Sequence, residues 1–286
     1  MNIPAAGKLE QLFPHLYRLC APNPGQMTGP GTNTYLYGER ELAVFDAGPA
    51  IPEHVAAILA AQDTLDAPIT KLFASHTHSD HSPAIAKVAE QLGDVELIGI
   101  PAEVGQKFED YSFKPDVKPQ NDQLFELPTG AVRAIHTPGH VGNHVCYLIE
   151  EYNLLTTGDH LMNGSTVVIV PPKGSMKDYI ESLQKLQHYA IDFMAPGHGG
   201  LITNPAEVVE WTIQHRLKRE AKVLANLSAA PVSISQLVAW VYDDVDVSLH
   251  PMAELSLHAH LIKLMLGGHV SEIAQAWFLS TLTSRE

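Results

Sequence analysis

The sequence predicts a mixed α/β (α+β) domain followed by a helical domain, and three observations carry that reading. Short apolar runs of strand length, punctuated by Gly, Pro, Asn and Asp, recur as far as Pro196. Segments with apolar residues at helical spacing fall between them. From Asn204 onward the pattern turns helical. A chain of 286 residues has room for one large domain with a smaller one attached. The boundary is placed between residues 1–203 and residues 204–286.

Strands are expected at His15–Ala21, Thr32–Tyr37 and Glu41–Phe45, joined by turns short enough to make them antiparallel neighbours. Val55, Ile58 and Leu59 give Pro52–Gln62 a helical stripe. A strand at Ile69–Ala74 precedes a helix from Ser82 to about Leu92, with Ser82 as its cap and Pro83 in its first turn. Val95–Ile100 reads as a buried strand, and Pro101–Gln120, with Pro115 and Pro119, as an irregular stretch rimming a cleft. Ala131–Ile135 is strand-like, and Val145–Ile149 and Asn153–Thr157 read as a hairpin. A helix at Met176–Tyr189 and a short strand at Ile191–Ala195 follow. The tail reads as helices at Pro205–Leu227, Ser235–Tyr242 and Met252–Leu266 with a small hairpin at Val270–Leu279, a winged-helix-like arrangement. It lacks a dense basic helix, so a packing or dimerisation role is preferred over DNA binding.

Composition narrows the partners. With 18 Lys+Arg against 32 Asp+Glu the formal net charge is −14, which opposes broad phosphate-driven binding of nucleic acid. Cys20 and Cys146 are too few for a disulfide framework and match no zinc spacing. No apolar run reaches membrane-spanning length, and Met1–Phe13 lacks the pattern of a signal peptide, so a cytoplasmic location is expected.

The chemistry concentrates in Ser75-His76-Thr77-His78-Ser79-Asp80-His81. Imidazole and carboxylate are ligands suited to zinc and its neighbours. His76 and His78 share a side in extended chain, whereas Asp80 and His81 lie at the helix entrance, so the two pairs can serve different metals. His76, His140, Asp159 and His198 each follow a strand-like run, with Gly or Pro close by at the last three. Ligands at strand ends can converge on one sheet edge. His144 is a candidate for facing substrate or supporting a ligand and His160 for lining the cleft, each weighed evenly against a structural histidine, and Tyr179 is a candidate substrate donor.

His76-Thr77-His78-Ser79-Asp80-His81, followed by His140, Asp159 and His198, resembles the metallo-β-lactamase superfamily. Gly31-Thr32-Asn33-Thr34-Tyr35-Leu36, Thr137-Pro138-Gly139-His140, Gly158-Asp159 and Pro196-Gly197-His198-Gly199, with the helical tail, are similar to its β-lactamase-like protein 2 branch. The resemblance implies an αββα metallo-β-lactamase sandwich with a C-terminal winged-helix-like helical domain. It implies two divalent metal ions, zinc first with Mn2+ or Fe2+ as alternatives. By family role His76, His78 and His140 would hold the first ion, Asp80, His81 and His198 the second, and Asp159 would bridge. Asp46 would orient a ligand from behind. Pro83 and Ala84 depart from the glycine often found after the Asp-His pair, and Thr77 from the bulky residue often found between the first two histidines.

A metal-bridging hydroxide is the expected nucleophile, with Asp80 orienting it or relaying its proton and His144 as a second catalytic candidate. The preferred function is a metal-dependent hydrolase acting on a small ester, thioester or lactone. The alternative is an endoribonuclease on single-stranded RNA, for which Lys107, Lys114, Lys118 and Lys173 are the candidate groove cations. A further alternative is a non-catalytic binding protein using the winged-helix-like tail, disfavoured by the complete ligand set. Homo-oligomerisation through the tail is a further expectation.

Overall fold

The computed structural model describes residues 4–103 and 109–280. Their first part forms β1 (Glu10–Phe13), β2 (Leu16–Cys20), β3 (Asn33–Tyr37), β4 (Leu42–Phe45), α1 (Pro52–Leu65), β5 (Ile69–Phe73), α2 (Pro83–Leu92) and β6 (Glu96–Ile98). The strands make one sheet in the order β1-β2-β3-β4-β5-β6, antiparallel from β1 to β4 and parallel from β4 to β6. Then come β7 (Leu124–Leu127), β8 (Gly130–His136), β9 (Val145–Ile149), β10 (Leu154–Gly158), α3 (Met176–Leu186) and β11 (Phe193–Pro196). Their strands form a second sheet, β11-β10-β9-β8-β7, antiparallel except for β10 with β11.

Alternation along the strands sorts the side chains into two cores. Tyr35, Tyr37, Phe45 and Phe73 of the first sheet meet Phe125, Val132, Tyr147 and Ile149 of the second. Phe73 stacks on Phe45 at 4.8 Å and meets Tyr147 edge-on at 4.9 Å. Leu36, Val44 and Leu72 point the other way, onto Val55 and Ile58 of α1 and Ile85 and Val88 of α2. The result is an αββα sandwich, with a winged-helix domain after it.

That later part consists of α4 (Pro205–Asn226), β12 (Val232–Ser233), α5 (Ile234–Val241), α6 (His250–Leu266), β13 (Val270–Ile273) and β14 (Ala276–Leu279). A reciprocal capping box between Ser233 and Gln236 starts α5. The wing is the three-stranded sheet β12-β14-β13. Val223, Leu237, Val241, Leu257, Leu261 and Trp277 form its core.

Contacts divide the chain into two compact units. One holds the described residues up to Thr137 with Asn143–Ser165 and Tyr189–Val208. The other holds Pro138–Gly142, Thr166–His188 and the chain from Val209.

Several local expectations change. Residues Glu10–Phe13 and Leu124–Leu127 are strands that the sequence pattern did not announce. Val95–Ile100 shrinks to the three residues of β6, of which Ile98 alone is buried. Ser82 occupies the N-cap position of α2 but makes no cap hydrogen bond: its backbone is at φ −108°, ψ −21° rather than extended, and its hydroxyl donates to Asp110 at 2.8 Å. Lys107 lies outside the described residues. No described helix is long and apolar enough to cross a membrane.

Candidate metal centre

The site is built where β4, β5, β10 and β11 end, so that short loops carry its side chains from rigid strands. Asp46, directly after β4, is a non-glycine residue at φ 50°, a strained conformation costing on the order of 1–3 kcal/mol. Its carboxylate offsets that cost by accepting from the Ser75 amide (2.7 Å), the Ser75 hydroxyl (2.6 Å) and His81 Nδ1 (3.0 Å). A carboxylate on Nδ1 leaves Nε2 of His81 as the nitrogen available to a metal. The orienting role expected of Asp46 is therefore visible in its contacts.

His81 Nε2 faces Asp159 Oδ1 at 3.3 Å and Asp80 Oδ2 at 3.7 Å. His198 Nε2 lies 3.3 Å from each of the same two oxygens. In a tetrahedron with metal–ligand bonds of about 2.1 Å, neighbouring donors stand about 3.4 Å apart. These four donors fit a single divalent cation on that criterion. The three residues Asp80, His81 and His198 offer donor atoms that all lie within 4.8 Å of one another.

His76, His78 and Asp159 form a second set under the same limit. His76 Nε2 and His78 Nδ1 are 3.0 Å apart, and the Ser75 hydroxyl meets His76 Nδ1 at 3.0 Å. Asp159 thus borders both sets. His140 belongs to the other compact unit, where its Nδ1 meets the Val168 carbonyl at 2.9 Å.

The loop carrying His198 is tied down heavily. Asn33 donates its side-chain amide to the carbonyls of Pro196 and Gly199, both at 2.9 Å. Buried Arg18 donates to the Gly199 carbonyl at 3.2 Å while pairing with Glu10 at 2.6 Å. His198 Nδ1 meets the Gly31 carbonyl at 3.2 Å. The Gly-Thr-Asn-Thr-Tyr run thereby has a physical task. Gly158, at φ +45°, is needed just before Asp159, since a Cβ there would stand 2.4 Å from Ser75 Oγ and 2.9 Å from His144 Nε2.

Electrostatics follow from this crowding. Burial opposes charge on His81, yet Asp159 and Asp80 hold its pKa well above the usual imidazole value. His198 is raised for the same reasons: burial works against the charge, and Asp159 and Asp80 outweigh it. Burial would raise Asp80, but His81 and His198 bring it below the usual carboxylate value. A bound divalent cation would supply the positive charge that these carboxylates favour.

Of the remaining expected residues, the two histidines and Tyr179 are buried. His144 is fully buried, with Nδ1 2.8 Å from the Thr137 hydroxyl and its ring 5.1 Å from that of His76. His160 is also fully buried, 5.8 Å from the His144 ring. Tyr179 is fully buried, beneath the guanidinium of Arg216. Lys114 and Lys118 are exposed.

Glu109 was missed in the sequence. It forms an isolated antiparallel bridge with His78, accepts from the Thr77 hydroxyl, and places Oε1 3.8 Å from His78 Nε2. Asn143 donates to the same Thr77 hydroxyl at 2.7 Å. Thr77, in place of a bulky residue, is thus part of a bracket behind His78. Burial raises the Glu109 pKa, with Asp110 adding to the effect and the Thr77 hydroxyl opposing it.

Comparison with known proteins agrees with this architecture. Residues 27–198 match the metallo-beta-lactamase superfamily model, and residues 233–277 match the beta-lactamase associated winged helix domain. The chain is 31% identical over 235 residues to an atrochrysone carboxyl ACP thioesterase of Aspergillus fumigatus, covering 79% of this chain and 69% of that protein. It is 30% identical over 265 residues to the protein of the same name from Aspergillus chevalieri, covering 86% and 80%. The crystal structure of a beta-lactamase domain protein from Burkholderia ambifaria shares the fold, with a TM-score of 0.82 at 19% identity, covering 98% of this chain and 95% of that one. The fold and the paired donor sets make the chain a hydrolase, and it belongs to the metallo-β-lactamase superfamily.

Proposed function

We propose that the protein hydrolyses acyl thioesters with two divalent metal ions, zinc being the first candidate. The observation that carries the reading is the pair of imidazole–carboxylate donor sets, with Asp159 Oδ1 of the first standing 3.3 Å from His81 Nε2 and from His198 Nε2 of the second. In this reading His76, His78 and His140 would hold the first ion and Asp80, His81 and His198 the second, with Asp159 serving both. Residues 1–203 form the catalytic domain and residues 204–286 its helical partner. The motif around Gly31–Leu36 supports the β-lactamase-like protein 2 branch.

Two bound divalent cations would supply Lewis-acid polarisation of a carbonyl and acidify a water at neutral pH. The chain's own residues do the rest. Asp80 orients the attacking water and receives its proton, being the half-open carboxylate of the second set, with a side chain 26% exposed. Asp46 holds His81 in the tautomer that presents Nε2. His144, being buried, acts by buttressing His76 rather than by touching substrate.

Thioesters are preferred over other carbonyl substrates because the relatives at 30% identity or more bear the name ACP thioesterase. The formal charge of −14 counts against the RNA alternative. The test is metal-reconstituted protein assayed on an acyl-N-acetylcysteamine thioester, an aryl ester, a lactone and a labelled single-stranded RNA. Thioester turnover that disappears in Asp159→Ala is the expected result. RNA cleavage with no acyl turnover would overturn the proposal.

A further inference from the structure

Residues 167–169 are gripped at three successive positions. Arg216 of α4 donates Nη2 to the Val167 carbonyl at 2.5 Å. His140 Nδ1 meets the Val168 carbonyl at 2.9 Å. The Ile169 amide donates to the Ser256 hydroxyl of α6 at 3.3 Å. The Val168 carbonyl that meets a metal-ligand candidate is therefore held on either side by side chains of the two long C-terminal helices.

The grip is buried and braced. Arg216 and Ser256 are both more than nine-tenths buried, and Val167 and Ile169 turn their side chains inward. Arg216 also lies over the Tyr179 ring at 5.3 Å. Tyr179 in turn supports the His140 loop. A Cβ on Gly139 would stand 2.3 Å from the Tyr179 Cα, so only glycine lets the two backbones approach this closely. The Ser175 amide donates to the Gly139 carbonyl and the Ser182 hydroxyl to the Pro138 carbonyl, both at 2.8 Å. All these residues lie within one compact unit.

We propose that Arg216 and Ser256 are positioning residues for His140, acting through residues 167–169. A carbonyl accepts only, so the Val168 oxygen fixes the proton on Nδ1 and leaves Nε2 with its lone pair. The two long C-terminal helices then set the tautomer and ring orientation of His140. This rests on the reading of His140 as a ligand of the first ion.

The experiment uses the full chain with Ser256→Ala, Ser256→Thr, Arg216→Met and Arg216→Lys. Ser256→Ala removes one small acceptor, and it keeps the test open if Arg216→Met fails to fold. Cobalt(II) affinity is read by chelator competition and by the visible spectrum. The His140 ring nitrogens are read by 15N NMR in the metal-free protein. Ser256→Ala and Arg216→Met are expected to weaken binding of one of two ions about tenfold or more, the size typical of lost support behind a ligand. They should also mix the His140 tautomers, and Ser256→Thr and Arg216→Lys should recover part of both effects. Folded variants with wild-type cobalt affinity and an unmixed Nδ1-H signal would overturn the proposal. A wild-type protein that fails to bind two ions, with tautomers that still shift in the variants, would leave the grip standing and remove the two-metal reading instead.

Discussion

Two buried histidine–carboxylate clusters in this molecule have opposite chemistry. In the sandwich, Asp80 and Asp159 face the Nε2 atoms of His81 and His198. In the helical unit, Glu220 faces His260 at 3.7 Å but is also met by the Lys263 ammonium at 2.7 and 2.8 Å. Lysine supplies the second cluster with its own cation. Burial there keeps His260 neutral, its pKa lowered to about 4. In the first cluster the partners just named for the carboxylates include no lysine or arginine, and Asp159 and Asp80 raise the pKa of both imidazoles against the effect of burial. The same residue types therefore form a candidate metal site in one place and a lysine-paired cluster in the other, and what separates them is whether the fold supplies a cation of its own.

The largest expected effect tests the first cluster directly. Asp159→Ala or His78→Ala should abolish turnover and lower the bound metal, measured by steady-state assay and elemental analysis. The corresponding change in the second cluster, Glu220→Gln, should leave metal content unchanged. It should cost stability instead, about 2 kcal/mol by urea unfolding, from the loss of a part-buried charged contact.

Proton competition should separate the clusters next. The raised pKa values of His81 and His198 mean that a metal must displace protons there, so metal affinity should fall as pH is lowered from 8 to 6, followed by calorimetry in buffers of different ionisation enthalpy. Without metal the sign for stability is the reverse. The contribution of these imidazolium–carboxylate contacts is full below the unfolded value of about 6.5 and is lost as pH rises through the raised folded values. His260 and His54, both lowered to about 4 with burial as the leading cause, are neutral in the folded protein. Their unfolded forms bind protons first, so the stability they contribute is present above pH 6.5 and is lost between about 6.5 and 4. Thermal unfolding of the metal-free protein followed from about pH 4 to about pH 9 measures both trends, the first above and the second below the unfolded value of about 6.5.

The smallest expected effect concerns Glu109. Glu109→Gln should weaken one ion about tenfold by removing the carboxylate behind His78, and unchanged cobalt affinity would assign Glu109 to loop structure alone.

Much of this was legible in sequence because the ligands sit at strand ends beside glycine and proline. Asp46, Asp159 and His198 follow β4, β10 and β11 within two residues. The parts that were not legible share a cause: they depend on partners distant in sequence. Glu109 reaches Thr77 across 32 positions, from a proline-rich stretch without periodicity. Ser82 has the type and place of a helix cap, but Asp110, 28 residues on, takes its hydroxyl. β1 is half-exposed or exposed throughout and β7 is only four residues of alternating exposed and buried positions; neither holds a β-branched residue, so propensity gave little signal, and pairing to β2 and β8 defines them. Nothing in the spacing of Arg216 and Ser256 connects them to His140.

The central claim is that the sandwich cluster needs an external cation where the helical cluster does not. The direct measurement is the metal content of the purified chain, with thioester turnover followed during chelation and re-addition. The account predicts two divalent ions per chain, loss of turnover on chelation and its return on adding zinc. Full thioester turnover by protein stripped of metal would contradict it.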